Sequence, residues 1–250
     1  MTDLAGLLPP ATTLPTYLLM GVLVFIGACL QGIGGIGFAM FAAPVAAWVF
    51  PAMVPGPLLL LGGLVSVMAA LREPAAIEWR LTRQCIAGRC VGAALATGVM
   101  VVLSPRPLAI AFGLSLLLAV ALSSVGWVLV PTRRNAVLAG VASGLMGTIT
   151  SAGAPPLGLL TQRLPPPVIR ATVGCIIAIG SVVSLVMLAG AGHFSQAQGL
   201  LGLALFPWVL TGFKVSSRLA RSISVAGTRR LLLGLVAGSA VAVLGKALMT

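Results

Sequence analysis

The stretch "QGIGGIGFAMFAAP", residues 31–44, decides how this chain is read. Gly32, Gly34 and Gly37 spell G-x-G-x-x-G. In a soluble βαβ unit that spacing lets the backbone approach a pyrophosphate at a helix N-terminus. Here it follows an apolar run of membrane-helix length rather than a strand, and no acid stands about 20 residues downstream to hold a ribose. The glycines therefore interrupt a membrane helix, and a nucleotide fold is excluded.

Composition supports that choice. The chain has 250 residues, 59% hydrophobic and 7% charged, where a soluble domain carries about 25% charged residues. Its acids are Asp3, Glu73 and Glu78. Such a chain cannot cover a water-facing surface, so an all-α integral membrane protein is expected. The net charge of +12 is spread through short loops between apolar runs, the pattern of topology signals rather than of a nucleic-acid face. Cys29, Cys85, Cys90 and Cys175 lie in or beside apolar runs without a C-x-x-C, and read as small apolar residues. The segment "MTDLAGLLPPATTLPTY" lacks a basic n-region, so the first apolar run is expected to be retained. There is no Ser/His/Asp set, no H-E-x-x-H and no pair of intramembrane carboxylates, so neither catalysis nor a cofactor or metal is expected.

Ten apolar segments follow from the hydropathy pattern: 14–33, 37–50, 54–71, 85–103, 107–130, 136–150, 152–162, 168–190, 197–213 and 229–248. Crossing the hydrocarbon takes about 20 helical residues. Segments 37–50, 136–150 and 152–162 fall short, and each adjoins a glycine-rich break, "QGIGGIG" at 31–37 or "GTITSAG" at 147–153. Short segments interrupted by Gly or Pro at matching places in two halves point to a transporter's binding site. With residues 72–84 on the cytoplasmic side, thirteen of the fifteen basic residues fall inside, Arg89 and Arg170 near cytoplasmic helix ends, and both termini come out extracytoplasmic.

The halves repeat. "CLQGIGGIGFAMFAAPV" (29–45) placed over "VASGLMGTITSAGAPPL" (141–157) matches Gly32 with Gly144, Gly35 with Gly147 and Pro44 with Pro156, an offset of 112. "GRCVGAAL" (88–95) loosely matches "LTGFKVSS" (210–217). An odd number of segments per half inverts the second, so 1–130 and 136–250 are expected to form inverted repeats of about eight full spans plus short segments. Each opens with a Gly-rich broken or re-entrant hairpin. The returning limbs then bring two helix N-termini toward each other at membrane depth. Each carries unpaired N–H donors and roughly half a positive charge, which suits an anion.

"GIGGIGFAMFAAPVAAWVFP", "LREPAAIEWRL" and "SGLMGTITSAGAPPLGLLTQRLPPPVIRAT" resemble the TauE/SafE family of sulfite exporters and sulfonate permeases. The resemblance implies a two-repeat inner-membrane transporter of sulfite or small organosulfur anions. Candidate substrate-binding residues are Gln31, Gly32, Gly34, Gly35, Gly37, Pro44, Gly144, Gly147, Thr148, Thr150, Ser151, Gly153, Pro155, Pro156 and Arg170. Membrane Ser and Thr also bond their own helix backbone, and Arg170 also suits a topology anchor. Partners are then a small anion and the lipid bilayer, with a homodimer as an oligomeric option and no nucleic acid. An anion channel and a membrane scaffold or enzyme are the alternatives.

Overall fold

The computed structural model describes residues 13–124 and 129–219, with isolated positions between 234 and 245. Among these residues the structure is helical: α1 Leu14–Gly34, α2 Phe38–Val49, α3 Gly56–Arg72, α4 Trp79–Val102, α5 Pro105–Ser124, α6 Arg133–Thr150, α7 Ala154–Thr161, α8 Pro166–Gly190 and α9 Gln196–Leu219. The apolar segments up to residue 213 thus become nine helices. The tenth segment, 229–248, is described at isolated positions alone, and Asp3 and the two termini lie outside the described residues.

Local chemistry sets the ends. Thr13 and Thr132 cap α1 and α6, their hydroxyls accepting from the N–H of Thr16 and Asn135. Prolines in the first turn start α3, α7 and α8. Two helices stop in the left-handed conformation: Gly35 at φ 75° ends α1 and Ser151 at φ 64° ends α6. In each the cap N–H returns four residues, Gly35 to the Gln31 carbonyl and Ser151 to the Gly147 carbonyl.

Five helices are long and apolar enough to cross a bilayer: α1, α4, α5 from Arg106, α8, and α9 to Ser216. Their outward faces carry Val22 and Ile26, Val91 and Leu95, Leu114 and Leu118, Val182 and Val186, and Leu203, all exposed. Apolar surface on that scale fits hydrocarbon, and the chain is a multi-pass membrane protein. At 12 and 8 residues, α2 and α7 reach about 18 and 12 Å, well short of a 30 Å core.

Each short helix folds back beside the helix before it. Helix α1 packs on α9, α4 on α6, and α3 on α8, while α3 also meets α9 and α4 meets α8. Glycine allows the close approaches. A Cβ on Gly88 or Gly92 would strike the Val137 or Val141 carbonyl of α6, and one on Gly140 or Gly144 would strike the Cys85 or Arg89 carbonyl of α4. This is the small-residue packing that membrane helix pairs use. One core, around Val24, Phe38, Leu61 and Leu205, joins α1, α2, α3 and α9. Another, around Cys85, Ala136, Leu157 and Ile176, joins α4, α6, α7 and α8.

The structure revises the alignment of the two breaks. The left-handed caps pair Gly35 with Ser151, and the residues before α2 and α7 pair Gly37 with Gly153, an offset of 116 rather than 112. The four-residue difference is about one helical turn. The identity match paired Gly35, the cap of α1, with Gly147, which lies four residues before the α6 cap, because identity alone does not separate a cap glycine from one inside a helix.

Candidate functional site

Both breaks line one small cavity between α1, α2, α3, α7 and α8. It is lined by Gln31, Gly37, Phe38, Ala39 and Met40 from the first hairpin, Ser151, Ala152, Gly153 and Ala154 from the second, and Gly62, Ser66 and Ser181 from α3 and α8 among others. Its volume is about 20 Å³, room for roughly one water.

The first tip is closed by a side chain. Gln31, 4% exposed, accepts from the Phe38 N–H through Oε1 at 3.1 Å and donates through Nε2 to the Ser66 hydroxyl at 2.9 Å. The first amide of α2 is therefore already partnered, and the next two, of Ala39 and Met40, belong to residues on the cavity wall. Ser66 is a site residue that the sequence reading missed. A lone serine in a 17-residue apolar helix was the available signal.

The second tip is built differently. Pro155 and Pro156 fill its first turn, so two of the four N-terminal amides of α7 do not exist. Thr150 donates to the Met146 carbonyl and accepts from the Ala152 N–H. Ser151 donates to the Pro55 carbonyl at 2.9 Å, tying the tip to the start of α3. Thr148 pairs with the Ser184 hydroxyl at 2.8 Å.

The remaining candidates separate by place. Gly32 packs against Ser216 of α9, Gly144 against the Arg89 carbonyl, and an added Cβ on Gly34 meets nothing. Pro44 is buried in mid-α2. Gly35 lies under Arg170, whose Cγ is 2.7 Å from where a Cβ would stand. The Arg170 guanidinium itself pairs with Glu73, and Arg72 donates to the Gly32 carbonyl at 3.3 Å with its charge 4.3 Å from the Phe213 ring centre. Of the fifteen candidates, Gln31, Gly37, Ser151 and Gly153 are the ones on the cavity wall.

Arg89 is the residue whose place differs most from expectation. It lies ten residues into α4, about 15 Å from the helix start, and is 1% exposed. The sequence reading began this segment at 85, which set Arg89 at a cytoplasmic end. The helix begins at Trp79, because the polar first turns of α4 continue the same helix. The guanidinium comes up against the second tip: Nη1 donates to the hydroxyl and carbonyl oxygens of Ser143, and that hydroxyl donates to the Gly153 carbonyl.

The fold is thus that of a polytopic membrane protein with two broken helical hairpins converging on one small cavity, a design suited to carrying a small solute. The chain belongs to the TauE/SafE sulfite exporter family, whose model matches residues 19–243. It is accordingly a membrane transport protein. Comparison with curated proteins and with solved structures gives no match.

Proposed function

We propose that this protein exports sulfite or a small organosulfonate across the cell (inner) membrane by alternating access, holding the anion between the two hairpin tips. The observation that carries the reading is the convergence of Gln31, Gly37, Ser151 and Gly153 on one cavity, next to the first turns of α2 and α7. Helix N-termini there favour negative charge. Gly35, Gly147, Thr148, Thr150, Pro155, Pro156 and Arg170 shape the two tips around it. A cavity of about 20 Å³ is too small for a four-atom oxyanion, which favours a carrier that opens and closes over an open channel.

The two halves act as inverted repeats of 1–130 and 136–250. Support comes from the packing: exchanging α1 with α6, α2 with α7, α3 with α8 and α4 with α9 leaves the main helix pairings unchanged. Thus α1 on α9 becomes α6 on α4, and α3 on α9 becomes α8 on α4. Rocking one half against the other would expose the shared cavity to either side in turn. No described acid lies inside a helix core to relay protons, and the membrane potential favours anion exit by about 2.3 kcal/mol per charge per 100 mV.

The test is efflux of radiolabelled sulfite from loaded proteoliposomes. Efflux should rise under a negative-inside potential and show counterflow. Counterflow absent with flux present would indicate a channel, and no anion flux under any gradient would end this reading.

A further inference from the structure

The geometry points to Arg89 as the fixed cation that faces the transported oxyanion at the second tip. Ser143 holds its guanidinium, and Gly147, Gly153 and Gly180 leave it room. This assignment rests on the anion-transport reading above.

Four observations carry it. First, a guanidinium stays charged, and burying it is costly unless another charge accompanies it. Arg89 is 1% exposed, and among the described residues the salt bridge present is Arg170–Glu73, elsewhere in the fold. Glu78 precedes α4, eleven residues or about 16 Å along the helix from Arg89. Second, its Nε has no hydrogen-bond partner among the described residues. Nη1 donates to the oxygens of Ser143, which are neutral.

Third, a space is kept for this side chain. A Cβ on Gly180 of α8 would fall on the Arg89 Nε, one on Gly147 would lie 3.1 Å from Nη2, and one on Gly153 would lie 3.0 Å from Nη1. Three glycines from α6, the tip and α8 thus clear the guanidinium. Fourth, Pro155 and Pro156 remove amides from the first turn of α7. The N–H fork of Arg89 supplies donors where the backbone cannot. Packing does not explain the charge, since α4 and α6 already meet through Gly88, Gly92, Gly140 and Gly144. The ligand class is a small anion presenting at least two oxygens to a guanidinium fork, as sulfite and sulfonates do.

The test uses the purified full chain with R89Q, R89K and G180A variants. Radiolabelled sulfite binding is measured beside thermal melts with and without sulfite, and methanesulfonate is tested as competitor. R89Q should bind sulfite about 10- to 100-fold more weakly, and its melting point should no longer rise with sulfite. Without sulfite, R89Q should melt at or above wild type, because an unpaired buried charge has gone. R89K keeps a charge but not the fork, and G180A displaces the guanidinium; both should weaken binding and decide the matter if R89Q does not fold. Wild-type affinity in R89Q, or in both R89K and G180A, overturns the role of Arg89 while leaving the transporter reading intact. A drop in the ligand-free melting point of R89Q with unchanged affinity makes Arg89 a structural strut and also overturns it. A wild type that binds neither anion removes the transporter reading and this assignment together.

Discussion

Arg170 spans from α8 to Glu73 in a two-pronged ion pair, Nη2 to Oε1 at 2.6 Å and Nε to Oε2 at 3.2 Å, with its stem across the Gly35 turn. The pair joins the end of α3 to the start of α8 over the first tip. Its side chains are 25% and 27% exposed, so its coupling should be about 0.5–1 kcal/mol rather than that of a fully buried pair. A double-mutant cycle with E73Q and R170Q, read by thermal melting, checks this. The swapped pair E73R/R170E should recover more stability than either single reversal.

Gly35 and Ser151 end α1 and α6 in the same left-handed conformation, and substitution should treat them differently. Gly35→Leu brings a penalty of about 1–2 kcal/mol for left-handed backbone and a Cβ only 2.7 Å from Arg170 Cγ. It should abolish sulfite efflux while the protein still inserts. Ser151→Gly relieves the same backbone penalty but loses the bond to the Pro55 carbonyl, worth about 1 kcal/mol. Its melting point should stay near wild type, whereas Ser151→Ala, losing the bond without the relief, should fall. Efflux at the wild-type rate in Gly35→Leu would take the first tip out of the mechanism.

Gln31→Ala should be among the more destabilising changes in the first half. It orphans the buried Phe38 N–H and Ser66 hydroxyl together, at about 1–3 kcal/mol for each unsatisfied group. Ser66→Ala, which removes one partner, should cost less. Thermal melts of the two variants and of the double mutant give the comparison, and non-additivity is expected because the groups form one network.

The α4–α6 contact carries its own control. Gly92→Ala places a methyl on the Val141 carbonyl and should cost about 1–3 kcal/mol by forcing the helices apart. Gly98→Ala, on the same helix, meets nothing within 4 Å and should be neutral or stabilise by about 0.5–1 kcal/mol through helix propensity. Equal melting points for the two would mean that this close approach is not what holds the pair.

Much of this architecture was determined by the sequence itself. Run lengths, the scarcity of acids, and glycine or proline at 31–37 and 147–156 are local features, and local features settle where helices start, stop and meet lipid. Thus the nine segments up to residue 213 coincide with helices to within a few residues, apart from the start of α4 and the ends of α5 and α9. Even the two breaks were visible, because a left-handed cap calls for glycine or a small polar residue. What tertiary structure alone decided is which residues meet across the bundle. Gly144 and Gly147 look alike in sequence, yet one lies against the Arg89 backbone and the other against its guanidinium. Gln31 looked like a free donor until Phe38 and Ser66 were brought to its two ends. Arg89 looked like a topology signal until α4 was extended to Trp79 and packed on α6. Depth, partner and burial depend on contacts between distant segments, and no pattern along a single segment contains them.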